Sequence, residues 1–319
     1  MNSSNSTGLS EQANRGCFYL TRFLAYDREP AVKILFIVNC ALNAILSITA
    51  IVGNASIFWA LRRCSSTLRP PSKALLSSLT LSDLAVGLFV QPLYVVYKAA
   101  EMNGHFQLFC ITGIGFHLTA NVFQAVSFLT VTAIALDRFL AFHLQKLYTR
   151  ISATRAKVLL VILWSATSFW IITWFYNIRI YQAFNITAVS LCLLVCASAY
   201  ITLQYRLRGL QTAITSRLNP FNEREANISI QTPHLQLYRR SVTTMFYIYI
   251  LLILCYTPYW SMFIVIQLTG RNYAKIVALS LSMTIVFANA SLNPFLYCWR
   301  IQEIRREIVS AISKLCRRN

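Results

Sequence analysis

Long apolar stretches separated by short polar ones dominate the chain. A hydrocarbon core about 30 Å thick needs roughly 20 apolar residues per helical crossing, and windows of that size recur at about 34–61, 72–98, 107–137, 157–178, 180–205, 241–268 and 274–298. In lipid every backbone N–H and C=O must find a partner within its own segment, so such windows predict helices. Seven crossings put the termini on opposite sides. The fourth and fifth windows almost touch, with Tyr176-Asn177-Ile178-Arg179 between them. After the seventh, Ile301, Ile304, Ile308 and Ile312 recur at helical spacing with charges between them, which predicts an amphipathic helix on the inner leaflet. The chain thus divides into a tail over 1–33, a seven-helix domain over 34–299, and an amphipathic helix and tail over 300–319. The connection at about 206–240, with Asn219-Pro220 and Thr232-Pro233, reads as the longest interior loop and a disordered one. No internal repeat is visible, which counts against a transporter built from two related halves.

Composition agrees with the pattern. Of 319 residues, 56% are hydrophobic and 12% charged, too apolar a balance for an ordinary water-soluble domain. The expected class is an all-α membrane protein, a seven-transmembrane helix bundle. The net charge of +19 is unevenly placed. Arg62, Arg63, Arg69, Arg138, Lys146, Arg150, Arg206, Arg208, Arg239, Arg240, Arg300, Arg305 and Arg306 fall on one side; Lys98, Arg179, Arg271 and Lys275 fall on the other, together with Arg15, Arg22, Arg28 and Lys33 of the tail, which weaken the bias without reversing it. Basic residues near helix ends stay cytoplasmic, so the N-terminus is expected outside at the plasma membrane. No cleavable leader pattern precedes the first window, which leaves that helix to act as the signal. Asn2 and Asn5 open glycan acceptor sequons in the tail. The basic face suits anionic membrane lipids, and no separate soluble domain offers a nucleic-acid surface. Cys40, Cys64, Cys192, Cys196, Cys255 and Cys298 read as packed thiols, whereas Cys316 could carry a palmitoyl group.

A charge at the bilayer centre costs about 2.5–3.5 kcal/mol on insertion scales, so acids inside the windows need a reason. Asp83 lies near the middle of the second helix, and Asp137 at the basic end of the third beside Arg138. Asn54, Ser127, Asn289 and Asn293 stand at compatible depths. Two readings stay open: an oxygen-lined site for a small cation such as sodium, or a hydrogen-bonded core that joins helices. Pro92, Pro258 and Pro294 each remove a helical hydrogen bond and create a place to bend.

Taken with Gly53-Asn54, Leu79, Ser82-Asp83, Asp137-Arg138-Phe139, Trp164, Tyr200, Cys255-Tyr256-Thr257-Pro258 and Asn293-Pro294-Phe295-Leu296-Tyr297, the chain resembles the rhodopsin-like, class A G-protein-coupled receptors from about residue 34 to 316. The resemblance implies that an extracellular ligand shifts a two-state bundle, that the sixth helix swings outward, and that a heterotrimeric G protein docks on the cytoplasmic side. It assigns the switch to Asp137, Arg138, Phe139, Tyr200, Tyr256, Pro258, Asn293, Pro294 and Tyr297. It assigns a sodium site to Asp83, Ser127, Asn289 and Asn293, with Asn54 nearby. The base of the sixth helix reads Leu237-Tyr238-Arg239-Arg240, with no acid to restrain Arg138, so basal activity is expected.

Departures from the family pattern narrow the resemblance. Gly113 stands where the third helix usually carries its disulfide cysteine, the second outer loop is very short and lacks cysteine, and Cys192 replaces a fifth-helix proline. In these features the chain resembles the melanocortin receptors and in part their lipid- and adenosine-receptor relatives. Cys17 could instead pair with Cys110. Ala120 stands where amine receptors carry an aspartate, which argues against a biogenic amine. The ligand pocket is expected at Tyr94, Asn121, Gln124, Phe184, Tyr256, Tyr259, Trp260 and Met283, beside Ala120. That lining suits a neutral or apolar small molecule, or a peptide whose charges meet Asp27, Glu29, Glu101 or Lys98 at the rim. No paired intramembrane aspartates, Ser/His pair or zinc motif suggests an enzyme. The rival reading is a receptor that binds without coupling.

Overall fold

The computed structural model describes residues 30–63, 69–143, 152–217 and 233–316. Among these, seven helices are long and apolar enough to cross a membrane, and no strand occurs. They are α1, Pro30–Arg63; α2, Pro70–Met102; α3, Phe106–His143; α4, Ala153–Trp170; α5, Ile178–Arg217; α6, Pro233–Thr269; and α7, Tyr273–Arg300. After Ile301 comes α8, Gln302–Cys316. All seven windows are helices. The interior loop expected over 206–240 is shorter than that, because α5 runs on to Arg217 and α6 begins at Pro233. Polar residues such as Gln and Arg propagate a helix as well outside lipid as within it, so the end of an apolar window is not the end of a helix.

Local chemistry explains the helix ends. Pro70 and Pro71 open α2, where a missing N–H costs nothing. Asn177 Oδ1 accepts from the Ile180 N–H at 3.2 Å and starts α5, so α4 and α5 are joined only by the Ile171–Ile172 turn, a one-turn helix over Thr173–Tyr176, and Asn177. Gly104 (φ 70°) and Gly270 (φ 76°) take the left-handed conformation that closes the α2–α3 and α6–α7 turns, which a Cβ would strain.

Within the bundle α3 is central, against α2, α4, α5 and α6, while α7 lies on α1 and α6. Gly53 permits the α1–α7 crossing: a Cβ there would stand 2.8 Å from Pro294 Cγ. A π turn over Val86–Val90 bends α2, and the Ser47 hydroxyl donates to the Gly87 carbonyl at 2.8 Å. Trp164 Nε1 donates to Ser78 Oγ at 3.0 Å and ties α4 to α2. By contrast, α4 makes little backbone approach to α5 beyond the turn that joins them. The outward faces are apolar: Leu194, Leu254 and Leu268 are 68%, 65% and 80% exposed, more apolar surface than water tolerates on one molecule. On α8, Ile304 is fully buried, with Ile301 and Ile308 against the same core, so its apolar stripe faces the bundle.

Candidate functional site

Three levels of polar side chains run through the bundle. At the basic end, the Asp137 carboxylate receives the Arg138 guanidinium at 3.3 Å and the Ser72 hydroxyl at 2.9 Å. Both members of the ion pair are buried, where the pair's attraction and the added hydrogen bond offset the cost of desolvation. Phe139, next in the chain, stacks on His143 with ring centres 4.1 Å apart. Tyr200 of α5 and Tyr297 of α7 are buried, and neither hydroxyl has a hydrogen-bond partner among the described residues. Tyr200 lies instead among rings, stacked on Tyr249 at 5.6 Å and edge-on to Phe246 at 5.8 Å. A buried hydroxyl left unpaired costs about 1–3 kcal/mol, so this level gains from any rearrangement that supplies partners.

Midway along the bundle, Asp83 is fully enclosed. Its carboxylate accepts from Asn293 Nδ2 at 2.7 Å and from the Ser127 hydroxyl at 3.5 Å, and Ser127 also meets Ser82 Oγ at 2.9 Å. Asn54 donates to the Ala290 carbonyl at 2.9 Å, next to the turn that Pro294 leaves unbonded. The amide oxygens of Asn54, Asn289 and Asn293 are buried without a donor. A carboxylate, a hydroxyl and unpaired amide oxygens form a hard, oxygen-only donor set of the kind small cations require. The residues present therefore fit a monovalent cation; they equally fit ordered water, and both expectations from the sequence remain compatible with the packing.

Nearer the Cys110 end, a cavity of about 270 Å³ lies among α3, α4, α5 and α6. It brings together Asn121, Gln124, Phe184, Tyr259 and Trp260 of the expected pocket residues. Tyr94, Tyr256 and Met283 are elsewhere. Tyr256 stands behind the cavity wall, edge-on to Phe128 at 4.6 Å, and Met283 packs into the main core. Tyr94 belongs to a polar network of α1, α2 and α7: it receives Asn39 Nδ2 at 3.0 Å and donates to the Ser280 carbonyl at 3.0 Å, while Asn43 donates to Thr284 Oγ1 at 2.8 Å. The cause is the π turn, which inserts an extra residue and rotates the rest of α2 about its axis. Ala120 is buried but does not line the cavity, and His117 lies against the Phe116 and Tyr97 rings.

Other cavity residues were not anticipated. Trp170, Tyr181, Asn185 and Cys192 line it, and the last three recur at four- and seven-residue spacing on one face of α5. That stripe was available in the sequence. Trp170 was not, because only the α4–α5 packing turns it inward, against Phe184 at 4.0 Å.

One further expectation changes. Lys98 and Glu101 are not rim charges for a peptide: they bind each other at 2.7 Å, both buried, with the ammonium over the Phe36 and Tyr97 rings at 5.1 and 4.9 Å. Cys110 is disulfide-bonded, whereas Cys40, Cys192, Cys196, Cys255 and Cys298 are free. Cys17, the partner expected for it, lies outside the described residues, as do Cys64, Asn2, Asn5 and the expected rim charges Asp27 and Glu29; the side-chain placement of Cys316 is likewise undescribed.

Residues 53–297 match the family model described as "7 transmembrane receptor (rhodopsin family)". Among individual proteins, the chain is 26% identical over 125 residues to adenosine receptor A3 of Bos taurus, covering 39% of this chain and 38% of that one. It is 30% identical to adenosine receptor A2b of Gallus gallus over 125 residues, 39% of this chain and 35% of the relative, and 30% identical to A2b of Mus musculus over 128 residues, 39% and 36%. The matches span under two fifths of those relatives.

Proposed function

The chain belongs to the rhodopsin family of seven-transmembrane receptors and is a multi-pass membrane protein, and from that premise we propose that it transduces an extracellular ligand to a heterotrimeric G protein. The basic end faces the cytoplasm of the cell bearing it at the plasma membrane, and the cavity opens in the half that carries Cys110. The observation that carries this reading is the buried Asp137–Arg138 pair set at the same end as two buried, unpartnered tyrosine hydroxyls. In the state described here the pair is closed. Once α6 moves, Arg138 leaves Asp137, and Tyr200 and Tyr297 gain partners through it or through water, so the unsatisfied hydroxyls bias the bundle toward opening.

The ligand supplies differential affinity for the open state. Its site is the cavity of Asn121, Gln124, Phe184, Tyr259 and Trp260, whose floor residue Phe128 touches Tyr256 on α6. Tyr256 precedes Pro258 by two residues, at the bend of α6, so pressure on Phe128 reaches the mobile helix directly. Between the two levels, Asp83, Ser127, Asn289 and Asn293 would hold a sodium ion, with Asn54 fixing α7 beside them. A bound ion would offset the charge of the Asp83 carboxylate, and these residues, which come from α2, α3 and α7, would hold it. With no acid at Leu237–Arg240 to add a second restraint on Arg138, basal signalling is part of the proposal.

Arg138→Ala tests the assignment in cells reporting G-protein activation. Loss of basal and agonist signalling at unchanged surface expression is expected. Unchanged signalling would reject the role of the arginine, and a wild-type receptor that activates no member of a G-protein panel would favour a receptor that binds without coupling.

A further inference from the structure

The two edges of α5 are built differently. Against α6 the seam is bridged: Ile186 packs on the cluster of Phe263, Ile266 and Leu279, and lower down Tyr249 donates to the Leu193 carbonyl at 2.9 Å. Against α4 the helices stand apart, and the cavity occupies the gap. Among the residues that line it, the exposed ones are Ala166 on α4 and Phe184 on α5, which flank that same gap. A residue that both lines a cavity and reaches the surface marks its mouth. Ala166 lies within the membrane span Thr154–Tyr176, one helical turn below Trp170, so this mouth opens to hydrocarbon and not to water. Above it Phe184 closes on Trp170 at 4.0 Å, and Tyr181 stacks on Trp170 at 6.5 Å.

The lining also describes the occupant. No charged side chain is among the lining residues, so a bare ionic head would lose its hydration without a counterion. The indole N–H groups of Trp170 and Trp260 are both buried with no acceptor among the described residues. Asn121 and Asn185 spend an amide hydrogen within their own helices, on the His117 and Tyr181 carbonyls at 2.6 and 2.8 Å. The unmet demand is therefore for acceptor atoms between the two indoles.

We propose that the cavity is loaded from the bilayer through the α4–α5 seam, and that its ligand is a neutral, long-chain amphiphile whose head presents a carbonyl or hydroxyl acceptor to Trp170 and Trp260. This rests on the reading of the cavity as the ligand site. Phe184 is the gate of the seam, and the indoles select neutral acceptor heads over cationic ones.

The test uses the full-length receptor in native membranes and a long-chain N-acyl amide carrying a diazirine and an alkyne. After irradiation, adducts are mapped by mass spectrometry. Adducts concentrated on the peptides holding Ala166, Trp170, Phe184 and Cys192 are expected. They should fall several-fold in Ala166→Trp, rise in Phe184→Ala, and be competed by unlabelled amide but not by an alkyltrimethylammonium of equal chain length. Adducts spread evenly over the outward faces, or insensitive to both substitutions, would overturn the portal; equal competition by the ammonium would overturn the ligand class. Because Phe184→Ala widens the gap while Ala166→Trp fills it, misfolding of one variant leaves the other decisive. Crosslinking does not require coupling, so its failure beside intact Arg138-dependent signalling removes the portal alone.

Discussion

Helices α7 and α4 are both long apolar segments, yet 67% of the α7 membrane window is buried inside the protein and only 6% of the α4 window is. Hydrophobicity does not distinguish them, because lipid is as apolar as a leucine side chain and gives no drive for one such helix to bury itself against another. Small and polar residues do. Along α7, Asn289, Ser291 and Asn293 are buried; Ser291 donates to the Leu46 carbonyl at 2.8 Å, Asn293 to Asp83, and Pro294 rests where Gly53 lacks a Cβ. Along α4 the polar tie to the bundle is Trp164 to Ser78, and the face around Val158, Val161 and Ile162 is left to lipid. The helix held by a polar ladder is locked into the bundle. The helix held loosely leaves a seam.

That contrast makes graded predictions. The largest effect is expected at the α1–α7 crossing: Gly53→Leu overpacks Pro294 and should cost about 1–3 kcal/mol or more, read as a lower melting temperature of the solubilised receptor and reduced surface expression. A Gly53→Leu receptor as stable as wild type would show that α7 is not held by close approach. Next, replacing sodium with N-methylglucamine should lower the wild-type melting temperature; at a sodium concentration about ten times the dissociation constant the linkage is worth roughly 1.4 kcal/mol. Asp83→Asn keeps an acceptor for Asn293 and should erase that difference. A sodium effect surviving in Asp83→Asn would leave the buried carboxylate as helix glue only. Trp164→Phe removes one hydrogen bond between α4 and α2 and should cost about 1 kcal/mol, less than either of those changes against α7 from α1 and α2. The smallest effect belongs to the lipid face: Val161→Leu or Ile162→Leu should change stability by no more than about 0.5 kcal/mol. A large loss there would mean that α4 is covered by protein after all.

Much of this organisation was legible from the residues. The seven windows are the seven helices, Asp137 and Arg138 pair as the family resemblance implied, and Asp83 finds Asn293 and Ser127. What was illegible depends on rotation and approach between helices. Tyr94 was expected at the pocket as an aromatic in the outer half of α2, and beyond the π turn at Val86–Val90 it joins the Asn39 network instead. Lys98 and Glu101 were expected at the rim as free charges, although their three-residue spacing on one helix was a signal that they neutralise each other.

The order of apolar windows determines by itself a seven-helix membrane bundle, because lipid leaves a polar backbone few ways to be satisfied and so makes helices nearly obligatory, and the motifs from Gly53-Asn54 to Tyr297 add the resemblance to the rhodopsin family. Only the tertiary structure decided which faces of those helices meet. It turned Trp170 into the cavity, placed Tyr256 behind Phe128 and left α4 apart from α5. Those outcomes follow from steric fit at a few small or bent positions, and no one-dimensional periodicity encodes the distance between two helices.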